Sequence, residues 1–258
     1  MRLRRHPRGV SRKAEVAHAI ADIGGRESME DEHVLDVESA RPLRVLGAVF
    51  DGHGGNAVAR LARVRFPVLF RAGPPANPEA ALRSAFAEIH RESMGLHGGA
   101  VAAAFHIDGP RLTVANAGDA HIAIIAGGRA TRVTEDHRLT NDAERKRIIT
   151  AGGEIWGPYV RLPDGPGIMP TRTLGDHQFA RVGVLSEPAV STHPLHPGFL
   201  VAACDGLWDV MGVEDLPKLL KGATTPEEAA GRLAHEALHV RSTTDNLTVL
   251  VVRILKGG

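Results

Sequence analysis

The chain has 258 residues, of which 43% are hydrophobic and 24% charged, and 31 basic side chains against 30 acidic ones leave a net charge of +1. This composition supports a buried core, excludes disorder by composition, and contains no run of about eighteen apolar residues to span a bilayer. The near-balance of charge argues against nucleic acid as a partner, and a single cysteine, Cys204, excludes an internal disulfide and any zinc site of four cysteines or of two cysteines and two histidines.

The amino terminus, Met1–Lys13, is basic but lacks the apolar stretch of a secretory signal. Residues 1–13 read as a flexible tail and 14–258 as one domain. Strands are predicted at Glu15–Ile23, Glu32–Glu38 and Leu43–Phe50, followed by a helix over Gly54–Phe70 and a loop at Pro74-Pro75. Asn77 as N-cap with Pro78 in the first helical position opens a second helix, striped by Leu82, Phe86 and Ile89. The strands Ala100–Ile107 and Leu112–Ala117 flank the turn Asp108-Gly109-Pro110, and His121–Ala126 runs into Gly127-Gly128. Asn141 with Glu144 reads as a capping box for a helix that stops at Gly152-Gly153, and Leu162–Gly167 reads as a surface loop. Phe199–Cys204 is a further strand. Thr225-Pro226-Glu227-Glu228 caps a helix carrying Leu233, Ala237 and Leu238, and Asn246–Leu255 is the last strand. Hairpins imply antiparallel pairing, so the expected class is α+β, with helices covering antiparallel sheets in one domain.

Three apolar strands each lead into an aspartate: Asp51, Asp119 and Asp205. A fourth, Asp245, stands just before the final strand. An antiparallel last strand starts where its neighbours end, so the four carboxylates can share one edge of the sheets. Each alone reads as a turn residue; four together repel one another unless a cation intervenes, and all-oxygen ligands suit Mg²⁺ or Mn²⁺. In Asp51-Gly52-His53-Gly54-Gly55 the glycines let the backbone approach a ligand, Gly52 can offer its carbonyl to a metal, and His53 suits a proton donor to a leaving group. Arg26, just before Glu30 and Asp31, suits bidentate capture of a phosphoryl group, and the two acids suit metal-bound waters.

These residues carry a resemblance. RESMED at 26–31, DGHGG at 51–55, NAGD at 116–119, DH at 136–137, TRTLGD at 171–176, DGLWDV at 205–210 and DN at 245–246 occur in order. Together they resemble the type 2C, metal-dependent serine/threonine protein phosphatases. The resemblance spans nearly the whole chain, and DGHGG with DGLWD is its most specific part. It implies a four-layer αββα sandwich with a metal centre in a cleft at one end. Asp51 then matches the ligand bridging two core ions, Gly52 supplies a carbonyl, Asp205 and Asp245 complete the core, and Glu30 and Asp31 act through water. Arg26 matches the phosphate-holding arginine and His53 the general acid, while Asp119, Asp205 and Asp209 match a third, looser metal site. The implied activity is hydrolysis of phosphoserine and phosphothreonine in proteins by a water activated at a dinuclear Mg²⁺ or Mn²⁺ centre. Phosphoproteins are the implied substrates and a serine/threonine kinase the implied partner. The expected setting is a free-standing cytoplasmic monomer without membrane or nucleic-acid partners.

Departures from the family pattern fall at Ala100, at Ala120-His121 and at Met169-Pro170-Thr171, none of which removes a core ligand. The flap, residues 140–167, is where members vary. Two other readings compete. His235-Glu236-Ala237-Leu238-His239 matches the HExxH pattern of zinc proteases, with Asp245 as a third ligand, but Ser242 replaces the glycine on which the extended motif turns. The same fold can also serve as an inactive module that binds phosphoproteins without turnover. A Gly52-x-Gly54-x-x-Ala57 match to the dinucleotide fingerprint is set aside because Asp51 beside it would repel a pyrophosphate, and Val210 stands where the arginine of a cysteine phosphatase would be.

Overall fold

In the computed structural model, residues 16–163 and 165–255 are described, so the predicted tail 1–13 and the first residue of the predicted strand Glu15–Ile23 lie outside the described residues. Among the described residues the strands are β1 (Ala17–Asp22), β2 (Glu32–Ala40), β3 (Leu43–His53), β4 (Gly99–Asp108), β5 (Arg111–Ala117), β6 (His121–Ala126), β7 (Arg129–Arg132), β8 (Glu154–Trp156), β9 (Tyr159–Arg161), β10 (Gly167–Ile168), β11 (Leu174–Gly175), β12 (Ala189–Pro194), β13 (Gly198–Ala203) and β14 (Leu247–Ile254). The α-helices are α1 (Ala57–Ala72), α2 (Pro78–Glu92), α3 (Asp142–Thr150), α4 (Asp205–Trp208), α5 (Leu216–Leu219) and α6 (Pro226–His235).

Alternation along β3 explains the layers. Val45 and Val49 belong to the cluster between the two large sheets, with Val101, Phe105, Ile122, Leu200 and Leu250. Leu46, Ala48 and Phe50 point the other way and meet Val58 and Phe66 of α1 and Leu82 and Phe86 of α2. One sheet runs β12-β5-β4-β3-β2, with β11 paired to β4; the other runs β1-β14-β13-β6-β7. Every pairing within them is antiparallel. On the far face of the second sheet, Leu233 and Ala234 of α6 and Leu207 of α4 cover Val201, Val249 and Val251. The order helix, sheet, sheet, helix is the expected αββα sandwich. A small sheet, β10-β9-β8, packs with α3 around Ile148, Val160 and Phe179 at one end.

Several elements differ from their predicted bounds. β3 continues past Phe50 to His53, pairing Asp51 with Val101, Gly52 with Ala100 and His53 with Gly99. The acid therefore lies within the strand, and the period of two puts it on the inner face with Val45 and Val49. Residues 54–56 form the entry to α1 instead of its first turn, and α1 carries Pro67 in its interior. Leu162 is buried and Gly167 belongs to β10, so the stretch 162–167 is only partly a surface loop. The Asn141 side chain caps α3 through the Ala143 and Glu144 amides, but the Glu144 carboxylate turns inward instead of closing the box. At α6, Thr225 Oγ1 accepts from the Glu228 amide while Glu228 reaches the Thr224 amide. β7, with four residues, and β12, an edge strand ending at Pro194, were not visible in the pattern. No helix among the described residues is long and apolar enough to cross a membrane.

Candidate metal centre

Where the two large sheets part, a cleft of about 790 Å³ is lined by Arg26, Glu30, Asp51, His53, Asp119, Asp176, Asp205, Asp209 and Asp245, among others. The antiparallel pairing of β14 with β13 brings this about: β13 ends at Ala203, paired with Val249, so Asp205 just beyond it faces Asp245 just before β14. Asp51 arrives along β3 from the other sheet. Gly52 can have no side chain here, because its Cβ would drive into the Glu30 carbonyl on the neighbouring segment.

Three of the carboxylates, Asp51, Asp205 and Asp31, are held above the usual range. Burial pushes the Asp51 carboxyl well above the usual range, and the charges of Asp205, Asp31 and Asp119 add to it. Asp205 is pushed up to about 7 by burial and then by Asp119, Asp209 and Asp245, against the pull of Arg138. Burial also raises Asp31, although Thr248 Oγ1 donates to its Oδ2 at 2.7 Å. Unlike the others, Asp31 does not line the cleft; it lies beneath, only 4% exposed. Mutual repulsion of this kind is what a bound cation relieves.

Ligand atoms of Asp31, Asp51 and Cys204 lie within 4.8 Å of one another. Cys204, read from the sequence as the end of a strand and as excluding an internal disulfide, lies just past β13 and is buried in the cluster between the sheets with Leu200 and Ala202. Its Sγ donates to the Asn246 carbonyl at 3.4 Å and accepts from the Thr248 amide at 3.1 Å. Burial raises its pKa well above the ordinary thiol range, so it stays a neutral thiol and the donor set is dominated by oxygen. Such a set fits a hard divalent cation better than zinc.

Glu30 is held at the rim: its Oε2 accepts from the Gly55 amide at 3.0 Å and its Oε1 from Ser28 Oγ at 3.2 Å. Asn246 fastens this segment by donating from Nδ2 to the carbonyls of Ile23 and Ser28 and accepting from the Glu30 amide. Arg26 then stands over the cleft, 59% exposed, with Nη2 donating to Asp245 Oδ2 at 2.6 Å.

Two residues beyond the predicted set belong to the site. Asp176, the last residue of TRTLGD, places Oδ2 at 2.5 Å from His53 Nε2. Burial lowers the His53 pKa, but the bond and charge of Asp176, with Asp119 and Glu30 behind it, outweigh that and hold it above the ordinary histidine value. Arg138 donates to Asp119, Asp209 and Asp205 at 2.6, 2.8 and 3.3 Å. The DH motif announced its neighbour His137, whose Nδ1 accepts from the Gly118 amide and braces the turn carrying Asp119. No signal in the sequence marked Arg138 itself.

The HExxH residues lie elsewhere. His235 and His239 are exposed near the end of α6, Glu236 bonds Arg241, and Asp245 is committed to Arg26 in the cleft.

The protein phosphatase 2C family model matches residues 19–247. "Probable protein phosphatase 2C 45" of Oryza sativa subsp. japonica is 33% identical over 263 residues, covering 96% of this chain and 91% of that protein. "Probable protein phosphatase 2C 59" of Arabidopsis thaliana is 32% identical, covering 95% of this chain and 82% of its own. Among solved structures, the serine-threonine phosphatase 2C of Toxoplasma gondii superposes with a TM-score of 0.74 at 20% identity, covering 92% of this chain and 94% of that one.

Proposed function

This chain belongs to the protein phosphatase 2C family, and from that premise we propose that its cleft hydrolyses phosphoserine and phosphothreonine in proteins at a dinuclear Mg²⁺ or Mn²⁺ centre. The observation that carries the reading is the convergence of Asp51, Asp205 and Asp245 on one cleft, with burial and then repulsion raising two of them, beside a cationic Arg26 and a histidine poised to donate. Asp51, Asp205 and Asp245, with the Gly52 carbonyl, would hold the ions, and Glu30 and Asp31 would bind their waters. When bound, the ions supply Lewis acidity toward the phosphoryl group and lower the pKa of water.

The protein's own groups do the rest. Arg26, exposed at the mouth, pairs with the phosphate dianion through its planar fork and orients the ester. His53, whose protonated form Asp176 favours, gives its proton to the departing serine or threonine oxygen, a poor leaving group as a bare alkoxide. Asp176 holds the ring in place and takes no part in bond making. The substrates are proteins phosphorylated by a serine/threonine kinase, and the reduced buried thiol of Cys204 suits the cytoplasm.

The test is hydrolysis of para-nitrophenyl phosphate and of a phosphothreonine peptide with Mn²⁺. Turnover that disappears with EDTA and in Asp205→Ala supports the reading. Turnover retained in Asp205→Ala removes the metal assignment, and an inert wild-type chain that still binds the peptide would establish the binding module instead.

A further inference from the structure

The acids that the family resemblance assigns to a third ion already share a cation. Arg138 sends each of its three nitrogens to a different carboxylate: Nε to Asp119, Nη1 to Asp209 and Nη2 to Asp205. A guanidinium presents its donors in a fixed plane, so three simultaneous bonds mean that the acids are arranged around it. The side chain is only 21% exposed, which strengthens those bonds.

Its backbone root is fixed as well. His137 and Leu139, on either side, are buried. The His137 amide donates to the Gly118 carbonyl at 3.2 Å, and the His137 carbonyl accepts from both the amide and the hydroxyl of Thr171 at 2.8 Å. These bonds hold the Arg138 backbone in place beside the three acids. A divalent ion on Asp119 and Asp209 would have to break bonds to oxygens already engaged and would sit against the positive charge of Arg138.

We infer that Arg138 is the built-in cation of the third position, holding Asp119, Asp205 and Asp209 in place of a third metal ion, so that the centre takes two ions. The inference rests on the proposed metal centre and concerns the place beside it. Arg138 is thus a positioning residue that aims Asp205 toward the core.

Counting bound Mn²⁺ tests this without recourse to activity. At saturation, equilibrium dialysis with elemental analysis should find two ions per wild-type chain. It should find three in Arg138→Met and in Arg138→Gln, and two again when Asp119→Ala is combined with Arg138→Met. Three ions in the wild type, or two in all of these variants, overturn the inference and leave the two-ion centre standing. Fewer than two in the wild type overturn the centre itself and the inference with it. A wild-type count of three overturns the inference even where a variant does not fold, and the two Arg138 variants give independent chances of a folded protein to count.

Discussion

The Nε2 of His53 and the Oδ2 of Asp176 lie 2.5 Å apart, although 123 residues separate them in the chain. The pair couples a strand of the first sheet to the end of the TRTLGD segment, and it favours the charged form of the proposed proton donor. A histidine acting as an acid works only while protonated, so activity falls as pH rises through its pKa, and a raised pKa moves that fall upward. Asp176 adopts a left-handed conformation (φ 47°) that asparagine also tolerates. Asp176→Asn should therefore keep the fold, lower the His53 pKa and move the alkaline limb of kcat for a phosphoserine peptide to lower pH. His53→Ala should slow that peptide by about 10²–10⁴-fold and para-nitrophenyl phosphate, whose leaving group needs no proton, far less. Equal losses on both substrates would remove His53 from proton transfer.

The same pair depends on a missing side chain. A Cβ on Gly99 would clash with the Asp176 carboxylate and come within 2.8 Å of His53 Nε2. The strand is otherwise ordinary there, so the constraint is steric and not one of backbone freedom. Gly99→Ala should separate the two groups, cost about 1–3 kcal/mol of stability, and reproduce the pH behaviour of Asp176→Asn. An unchanged pH profile in a folded Gly99→Ala would show that the pair does not set the His53 charge.

Arg26 touches Asp245 at 2.6 Å and otherwise faces solvent. Its bonds to a phosphate dianion are charge-assisted, worth about 1.5–3 kcal/mol, so Arg26→Ala should raise KM for a phosphopeptide by about tenfold or more, with a smaller effect on kcat. Arg26→Lys keeps the charge, loses the fork and should fall between. An unchanged KM would take Arg26 out of substrate binding.

The acids were legible in the sequence because each follows or precedes an apolar strand, and antiparallel pairing alone brings Asp205 and Asp245 to one edge. That Asp51 faces inward needed the observed length of β3; with the strand ending at Phe50, the alternation that aims the acid between the sheets had no purchase. Arg138, Asp176 and Glu144 were not legible as site or bracing residues. Apart from Arg147, three positions from Glu144, the partners that define their roles lie between 19 and 123 positions away, and neither spacing nor hydrophobic period encodes such a meeting. The flap sheet was missed for a related reason: β8, β9 and β10 are two or three residues long, too short for a period of two to register.

Glu144 illustrates a bracing role with a measurable signature. Burial alone would raise its pKa, yet bonds from Arg147, Arg172 and Thr171 bring it down to about 2. Its side chain is 3% exposed, and the bonds tie α3 of the flap to the segment that ends in Asp176. A carboxylate with a depressed folded pKa stabilises above its unfolded value of 4.5 and loses that contribution as pH falls toward 2. The shift corresponds to about 3 kcal/mol. Glu144→Gln should cost about that much near neutral pH in urea unfolding, and the difference from wild type should shrink as pH drops below about 4. A difference independent of pH would mean that charge is not what holds the flap.

The acidic cluster of the cleft has the opposite sign. Asp205 is raised from 3.8 to about 7, chiefly by burial and then by the neighbouring acids. Its ionisation opposes folding, so the metal-free protein should lose stability as pH rises from about 4 through about 7. A cation that binds only the folded state restores it. In thermal unfolding at pH 8, Asp205→Asn should raise the Tm of the metal-free protein by about 2–4 °C for each kcal/mol of repulsion removed, and should lose most of the further rise that Mn²⁺ gives the wild type. The two effects separate a ligand from a merely buried acid: any substitution that relieves repulsion raises the first Tm, but only a ligand's removal abolishes the second shift. If Mn²⁺ stabilises Asp205→Asn as strongly as the wild type, the ion is held without this residue.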